Sequence, residues 1–301
     1  MKKLLVVGGT GFIGFHVIKE AIKRKWQVTS ISLNKPKKER FLKNVKYLQC
    51  NFVDYYSLSK KINSKFDYVL NAGGYGKHPD FNKTGEKLIK THVTGLINLV
   101  KILPRKKLKK FIQIGSSAEY GNIKSPIKEN MKCNPTTPYG IAKFTCSNFL
   151  QNIYNVDNFP STILRLFQVY GPSQGKNRIL PYVIDQCRKN KKFPTTKGEQ
   201  YCDFCFIDDV VKAVFKVFLS KNTNGEIINI GSAKPIKIKN IIKLVCKQTG
   251  KGKPLFGKLP YRKGTNMNFY PSVSKAKKLI NWYPKIKITE GLNILIKDSY
   301  L

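Results

Sequence analysis

The sequence predicts an α/β protein: a doubly wound parallel sheet followed by a smaller C-terminal α/β lobe. Three observations carry this. Short apolar runs alternate with helical patterns from the first residues onward, as in successive strand–helix–strand units. A glycine-rich turn, Gly8-Gly9-Thr10-Gly11-Phe12-Ile13-Gly14, lies directly between the first run and the first helical stretch. Far downstream, Tyr139-Gly140-Ile141-Ala142-Lys143 places a phenol and an ammonium on one helix face.

The elements read in order. Lys3–Val7 is a buried-strand run, and residues 12–25 form a helix after the glycine turn. The basic start Met1-Lys2-Lys3 superficially resembles a leader, but its apolar stretch is short and passes straight into that turn. Residues 27–33 read as the second strand, and 46–49, Tyr68–Asn71 and 111–114 as further strands. Helical patterns separate the last three, including residues 87–102. Beyond 162–167 the character loosens, and 226–230 looks like a strand returning to the main sheet. The predicted division is a dinucleotide-binding domain of residues 1–165 plus about 204–230. A substrate lobe takes about 166–203 plus 231–301.

Charge narrows the partners. Lys and Arg number 56 against 17 Asp and Glu, a formal +39, which raises nucleic-acid binding. The basic residues are dispersed rather than gathered, so they read as solvated faces whose field draws in an anionic nucleotide substrate. No nucleic-acid partner is expected. No apolar run approaches the roughly 20 residues that cross a bilayer, so neither membrane insertion nor any location but the cytoplasm is expected. Seven cysteines without a secretory signal read as reduced thiols. Cys202-Asp203-Phe204-Cys205 has redox or zinc spacing, but in a strand-like run its thiols point to opposite faces. No second pair accompanies it, and no metal is expected.

Gly8, Gly11 and Gly14, between strand and helix, let the backbone approach a pyrophosphate set against the helix N-terminus. This is the fingerprint of a Rossmann-type dinucleotide site. At the end of the second strand an NAD site usually carries Asp or Glu for the ribose 2′-hydroxyl. Here the segment 30–38 has no carboxylate, and Ser32, Asn34 and Lys35 suit a 2′-phosphate better, so NADP(H) is expected over NAD(H). The expected cofactor contacts are Gly8, Thr10, Gly11, Phe12, Ile13, Gly14, Ser32, Asn34, Lys35, Asn51, Phe52, Ala72, Gly73 and Lys143. A cation beside a phenol favours its ionised form, which makes Tyr139 a usable acid–base group.

With these residues in view, the chain resembles the extended short-chain dehydrogenase/reductases that act on nucleotide sugars. The resemblance runs nearly end to end, through Gly8–Gly14, Asn71-Ala72-Gly73-Gly74, Gly115-Ser116-Ser117-Ala118-Glu119-Tyr120-Gly121 and Tyr139–Lys143. It continues through Leu164-Arg165-Leu166-Phe167-Gln168-Val169-Tyr170-Gly171-Pro172, the stretch 203–210, and Trp282-Tyr283-Pro284. It implies that Tyr139 exchanges a proton with the sugar oxygen while Lys143 holds the nicotinamide ribose. Ser116 would bond the same oxygen, with Ser117 as the alternative. Gln168, Arg178 and Arg262 would meet the sugar diphosphate, and Tyr75 and His78 would line the sugar pocket. The family's Arg before Asp-Phe/Tyr is Cys202 here, and its helical Asn is His92, read as a packed histidine. His16 reads as structural.

The resemblance also excludes reactions. Family 4,6-dehydratases carry Asp-Glu where this chain has Ser117-Ala118, and the 3,5-epimerase/reductases place a Cys at Ala118. The blocks 177–185 and 196–200 are similar to CDP-abequose synthase, a 4-ketosugar reductase. The expectation is therefore an NADPH-dependent reductase of a nucleoside-diphosphate 4-keto-6-deoxysugar, feeding surface polysaccharide. The alternatives are an NAD-dependent nucleotide-sugar 4-epimerase, and a non-catalytic cofactor-sensing binding protein. A homodimer packed through two helices per subunit is implied as well.

Overall fold

The first strand shows why the apolar runs are unbroken. In the computed structural model, which describes residues 1–62, 64–74, 80–261 and 264–298, Leu4, Leu5, Val6 and Val7 are all buried. Successive strand side chains point to opposite faces, and here both faces are covered. Leu4 and Val6 join one core, with Val17, Ile18 and Ala21 of the first helix. Leu5 and Val7 join another, with Leu96, Leu99 and Leu150.

The strands in chain order are β1 (Lys3–Val7), β2 (Gln27–Ser32), β3 (Val45–Gln49), β4 (Tyr68–Asn71), β5 (Lys110–Ser116) and β6 (Ser161–Leu166). They continue with β7 (Gln168–Tyr170), β8 (Lys192–Pro194), β9 (Tyr201–Cys202), β10 (Phe204–Phe206) and β11 (Ile227–Ile230). Last come β12 (Ile236–Lys237), β13 (Lys253–Leu255) and β14 (Asn268–Phe269). The α-helices are α1 (Phe12–Lys23), α2 (Tyr55–Lys61), α3 (Glu86–Ile102), α4 (Pro138–Asp157) and α5 (Ile179–Arg188). The remainder are α6 (Ile207–Leu219), α7 (Ile238–Thr249), α8 (Ser274–Ile280) and α9 (Ile288–Asp298).

Seven strands form one parallel sheet in the order β3-β2-β1-β4-β5-β6-β11, the doubly wound arrangement expected. The chain leaves β1 toward β2 on one side and returns to β4 on the other. Ligands of such sheets bind beyond the carboxyl ends of the strands at that reversal. Val7 pairs with Ile31 and with Asn71, so Gly8, Ser32 and Ala72 emerge at one edge. Beyond the main sheet, β7 pairs with β10, β9 lies between β12 and β14, and β8 pairs with β13. The strand-like run at 202–205 is split: Cys202 ends β9 and Cys205 lies in β10.

The C-terminal segment docks through one buried carboxylate. Asp209 of α6 accepts the Lys285 and Ile286 N–H groups at 2.8 Å each, and its carbonyl accepts the Trp282 indole N–H at 2.9 Å. Among the described residues no helix is long and apolar enough to cross a membrane.

Lys110, at the amino end of β5, is buried with Nζ donating to Thr223 Oγ1 at 3.0 Å and to Asn224 Oδ1. Burial pushes this ammonium down to about 8. The penalty on its charged form is full below pH 8 and vanishes above the unfolded value near 10.4, so this group makes stability rise with pH through that window. Lys110→Met is expected to abolish this rise in stability between about pH 8 and about 10.4, measured by urea unfolding of both proteins across that window.

Candidate active site

The glycine turn is built by close backbone approach. Gly8 has φ +78°, and a Cβ there would lie 2.6 Å from the Ala72 carbonyl oxygen. A Cβ on Gly14 would lie 2.4 Å from the Gly8 oxygen, which packs the first turn of α1 onto the loop. Gly11 is the N-cap residue of α1 and supplies no side-chain cap, so the orphan N–H groups of that turn remain available to an anion. Thr10 N–H donates to Ser32 Oγ at 3.2 Å, joining the loop to the end of β2. Gly14→Ala is expected to lower dinucleotide affinity at least tenfold, roughly 1.4 kcal/mol, as read by isothermal titration calorimetry with NAD(H) and NADP(H).

A cavity of about 200 Å³ opens beside this loop, lined by Gly8, Thr10, Gly11, Ser32, Asn34, Asn51, Phe52, Ala72, Gly73 and Thr91 among others. Most of the expected cofactor contacts meet there. Phe12 and Ile13 do not line it; their side chains pack against the core, and Gly14 acts through packing. Lys35 lines a second cavity of about 250 Å³ beyond Ser32, with Thr10, Ser30, Asn34, Phe41 and Tyr47, and its lining contains no carboxylate. Asn71 fixes the turn after β4: its Nδ2 donates to Gln113 at 2.9 Å and its Oδ1 accepts Gly73 N–H at 3.2 Å.

Sequence reasoning did not single out Arg40. Its guanidinium donates to the Thr10 carbonyl at 2.8 Å and to the Ser173 carbonyl at 2.5 Å. His16 of α1 is hydrogen-bonded to the neighbouring Pro172 carbonyl at 2.9 Å, in the structural role expected of it. Burial lowers its pKa below the ordinary histidine value. Together the two side chains tie the 172–173 turn to the glycine loop. The cationic run 35–40 signalled Arg40 only weakly, since lysines crowd the same stretch.

The second half of the site lies at the carboxyl end of β5. Thr137 caps α4, with its Oγ1 accepting the Gly140 N–H at 3.1 Å, and Pro138 opens the helix. A Cβ on Gly140 would lie 2.6 Å from the Ala118 carbonyl oxygen, so α4 abuts the serine turn and brings Tyr139 beside it. Lys143 is buried, donates from Nζ to the Ile114 carbonyl at 2.8 Å, and lies 5.8 Å from the Tyr139 ring centroid. The helix thus presents phenol and ammonium together, as their spacing predicts.

Ser116 begins the 3₁₀ turn Ser117–Tyr120: its Oγ accepts the Ala118 N–H at 3.2 Å, and its own N–H donates to Glu119 Oε1 at 2.8 Å. Below it, Arg165 Nε meets Glu119 Oε2 at 2.7 Å with both side chains buried. Burial opposes the guanidinium charge, but the Glu119 carboxylate more than offsets it, and the Arg165 pKa stands above its ordinary value. Tyr120 OH donates to Asn229 Oδ1 at 2.8 Å, and burial pushes that phenol up to about 12. Ser117 is half-buried in the same turn.

His92 is buried edge-on to the Tyr139 ring, 5.8 Å between centroids, and its Cε1 fills the space where a Gly74 Cβ would stand. The packed histidine expected there is therefore also a wall beside the Tyr139 ring. Gln168 is exposed on β7, beside β9 and its Cys202, whose thiol burial pushes up to about 11. Arg178 is exposed as the N-cap residue of α5. Tyr75, His78 and Arg262 lie outside the described residues. Among those described, no group of three or more His, Cys, Asp and Glu side chains is placed to hold a metal.

A glycine cradle at the sheet's reversal, with a Tyr–Lys pair one strand away, defines a dinucleotide-dependent enzyme of the short-chain dehydrogenase/reductase type. The chain belongs to the NAD dependent epimerase/dehydratase family, which it matches over residues 4–231. It is 28% identical to the human (Homo sapiens) dTDP-D-glucose 4,6-dehydratase, over 98% of this chain and 89% of that one. Its fold superimposes with a TM-score of 0.91 on the UDP-glucose 4-epimerase of Thermotoga maritima solved with UDP-glucose, at 25% identity, covering 99% and 98% of the two chains. A UDP-glucuronic acid 4-epimerase from Bacillus cereus, in complex with UDP-glucuronic acid and NAD, gives 0.89 at 25% identity, covering 99% of each chain.

Proposed function

We propose that the protein inverts C4 of a nucleoside-diphosphate sugar, holding a nicotinamide dinucleotide throughout. The observation that carries this reading is Tyr139 and Lys143 abutting the Ser116 turn, beside the glycine cradle. Similarity to 4-epimerases favours inversion over the one-way reduction expected from the sequence. Bound nicotinamide supplies hydride acceptance from C4 and its return. Tyr139 takes the proton of the C4 hydroxyl during oxidation and returns it on reduction. The Ser116 Oγ lone pair already accepts the Ala118 N–H, so its hydrogen is offered to the same sugar oxygen. Lys143 spends one N–H on Ile114 and gives the others to the dinucleotide ribose. Gln168 and Arg178 are assigned to the diphosphate, and Ser117-Ala118 lacks the acid pair used for elimination of water.

A second reading keeps the reductase. The lining beyond Ser32 offers Ser30, Ser32, Asn34 and Lys35 and no carboxylate, which suits a ribose 2′-phosphate and hence NADPH-driven reduction of a 4-ketosugar. A homodimer through α3 and α4 belongs to the same proposal; Ile141 and Val156 are exposed on α4.

The test begins with the nucleotide released on denaturing the purified protein. UDP-glucose and UDP-glucuronic acid are then incubated without added reductant and the C4 epimers separated. Interconversion with NAD retained supports the epimerase. Turnover seen only with NADPH and a 4-keto nucleotide sugar, followed at 340 nm, transfers the assignment to the reductase.

A further inference from the structure

We propose that Glu119 is a positioning residue for this reaction, setting the catalytic serine against the Tyr139–Lys143 helix. The inference rests on the functional reading above and assigns a role to a side chain that the reading leaves unused.

The carboxylate is fully buried and meets three donors from three parts of the chain. Its Oε1 accepts the backbone N–H of Ser116 at 2.8 Å. Its Oε2 accepts Ser147 Oγ and Arg165 Nε, each at 2.7 Å. Ser147 follows Lys143 by one helical turn on α4, so it reports the position of the helix that carries both catalytic groups. Arg165 belongs to β6, the strand paired with β5 beneath the serine. The fit is close: a Cβ on Gly115 would lie 2.7 Å from Oε1.

The distribution of these bonds argues against a purely structural pair. A carboxylate serving only Arg165 would favour the two-pronged geometry a guanidinium offers. Here one oxygen is devoted to the serine's own backbone, and the other is shared between sheet and helix. Losing the Ser116 bond frees the turn that aims the hydroxyl, and a misplacement of about 1 Å can cost roughly a hundredfold in rate.

Two variants test this, with UDP-glucose or UDP-glucuronic acid as the substrate. Glu119→Gln is expected to lower kcat by about thirtyfold or more, with KM and dinucleotide affinity within about twofold. Ser147→Ala leaves the Arg165 pair intact and folds normally; it is expected to lower kcat by about three- to tenfold with the same split. If Glu119→Gln fails to fold, Ser147→Ala decides. The inference is overturned if folded variants keep the wild-type kcat, or if their losses appear in dinucleotide affinity or melting temperature alone. Absence of turnover in the wild-type chain instead overturns the functional reading itself.

Discussion

Tyr139→Phe is expected to reduce kcat by about a thousandfold while leaving the fold and dinucleotide affinity unchanged. The ring keeps its edge contact with His92 and its place beside Lys143 Nζ, since neither contact uses the hydroxyl. Only the proton carrier is removed. With no group to take the C4 proton as hydride leaves, the transition state loses its acid–base assistance and the ground state loses little. The measurement is kcat on the nucleotide sugar that the wild type turns over, alongside calorimetric titration with the dinucleotide. A variant retaining a tenth of the activity would place proton transfer elsewhere, with Ser116 the first candidate.

Arg165→Met should cost the fold about 3–5 kcal/mol. The cost comes less from the lost attraction than from Glu119, left buried without its cation and with only the Ser116 N–H and the Ser147 hydroxyl as donors. Methionine also forfeits the guanidinium stacked over the Tyr120 ring, 4.5 Å from its centroid. The double variant Glu119→Gln/Arg165→Met is expected to recover most of the loss, because a neutral pair carries no stranded charge. Urea unfolding of the two variants and the wild type at pH 7 provides the comparison.

These two predictions differ in how visible their residues are before folding. Tyr139 and Lys143 announce themselves because their chemistry depends on local helical spacing, and local spacing is written in the chain. The same holds for the glycine turn and the strands, whose apolar runs needed only adjustments of a residue or two at their ends. Arg165 and Glu119 were both present in recognisable stretches, yet their pairing spans 46 residues and depends on β6 lying beside β5. Arg40 is more hidden still: its bond to Ser173 crosses 133 residues and involves a backbone carbonyl that no side-chain pattern marks. Phe12 and Ile13, expected at the cofactor, turn their side chains into the core for a related reason, leaving only their backbone to face the loop. A loop's spacing identifies who is near a ligand, whereas the sheet behind it decides which side chains turn inward. The choice between inversion and reduction is harder again, since both use the same phenol, ammonium and hydroxyl.

The docking of the C-terminal segment on Asp209 has a consequence in time. The N–H groups that satisfy this carboxylate arrive 76 and 77 residues after it in the chain. At a synthesis rate of about 5–20 residues per second, roughly 4–15 seconds separate the two on the ribosome. Through that interval the Asp209 carboxylate has only Lys212, three residues along its own helix, as a partner. The sheet's last strand, β11, is made within that interval, before the segment that docks on α6. Closure of α6 onto the C-terminal segment therefore waits for residues 285 and 286, long after the helix itself has been made.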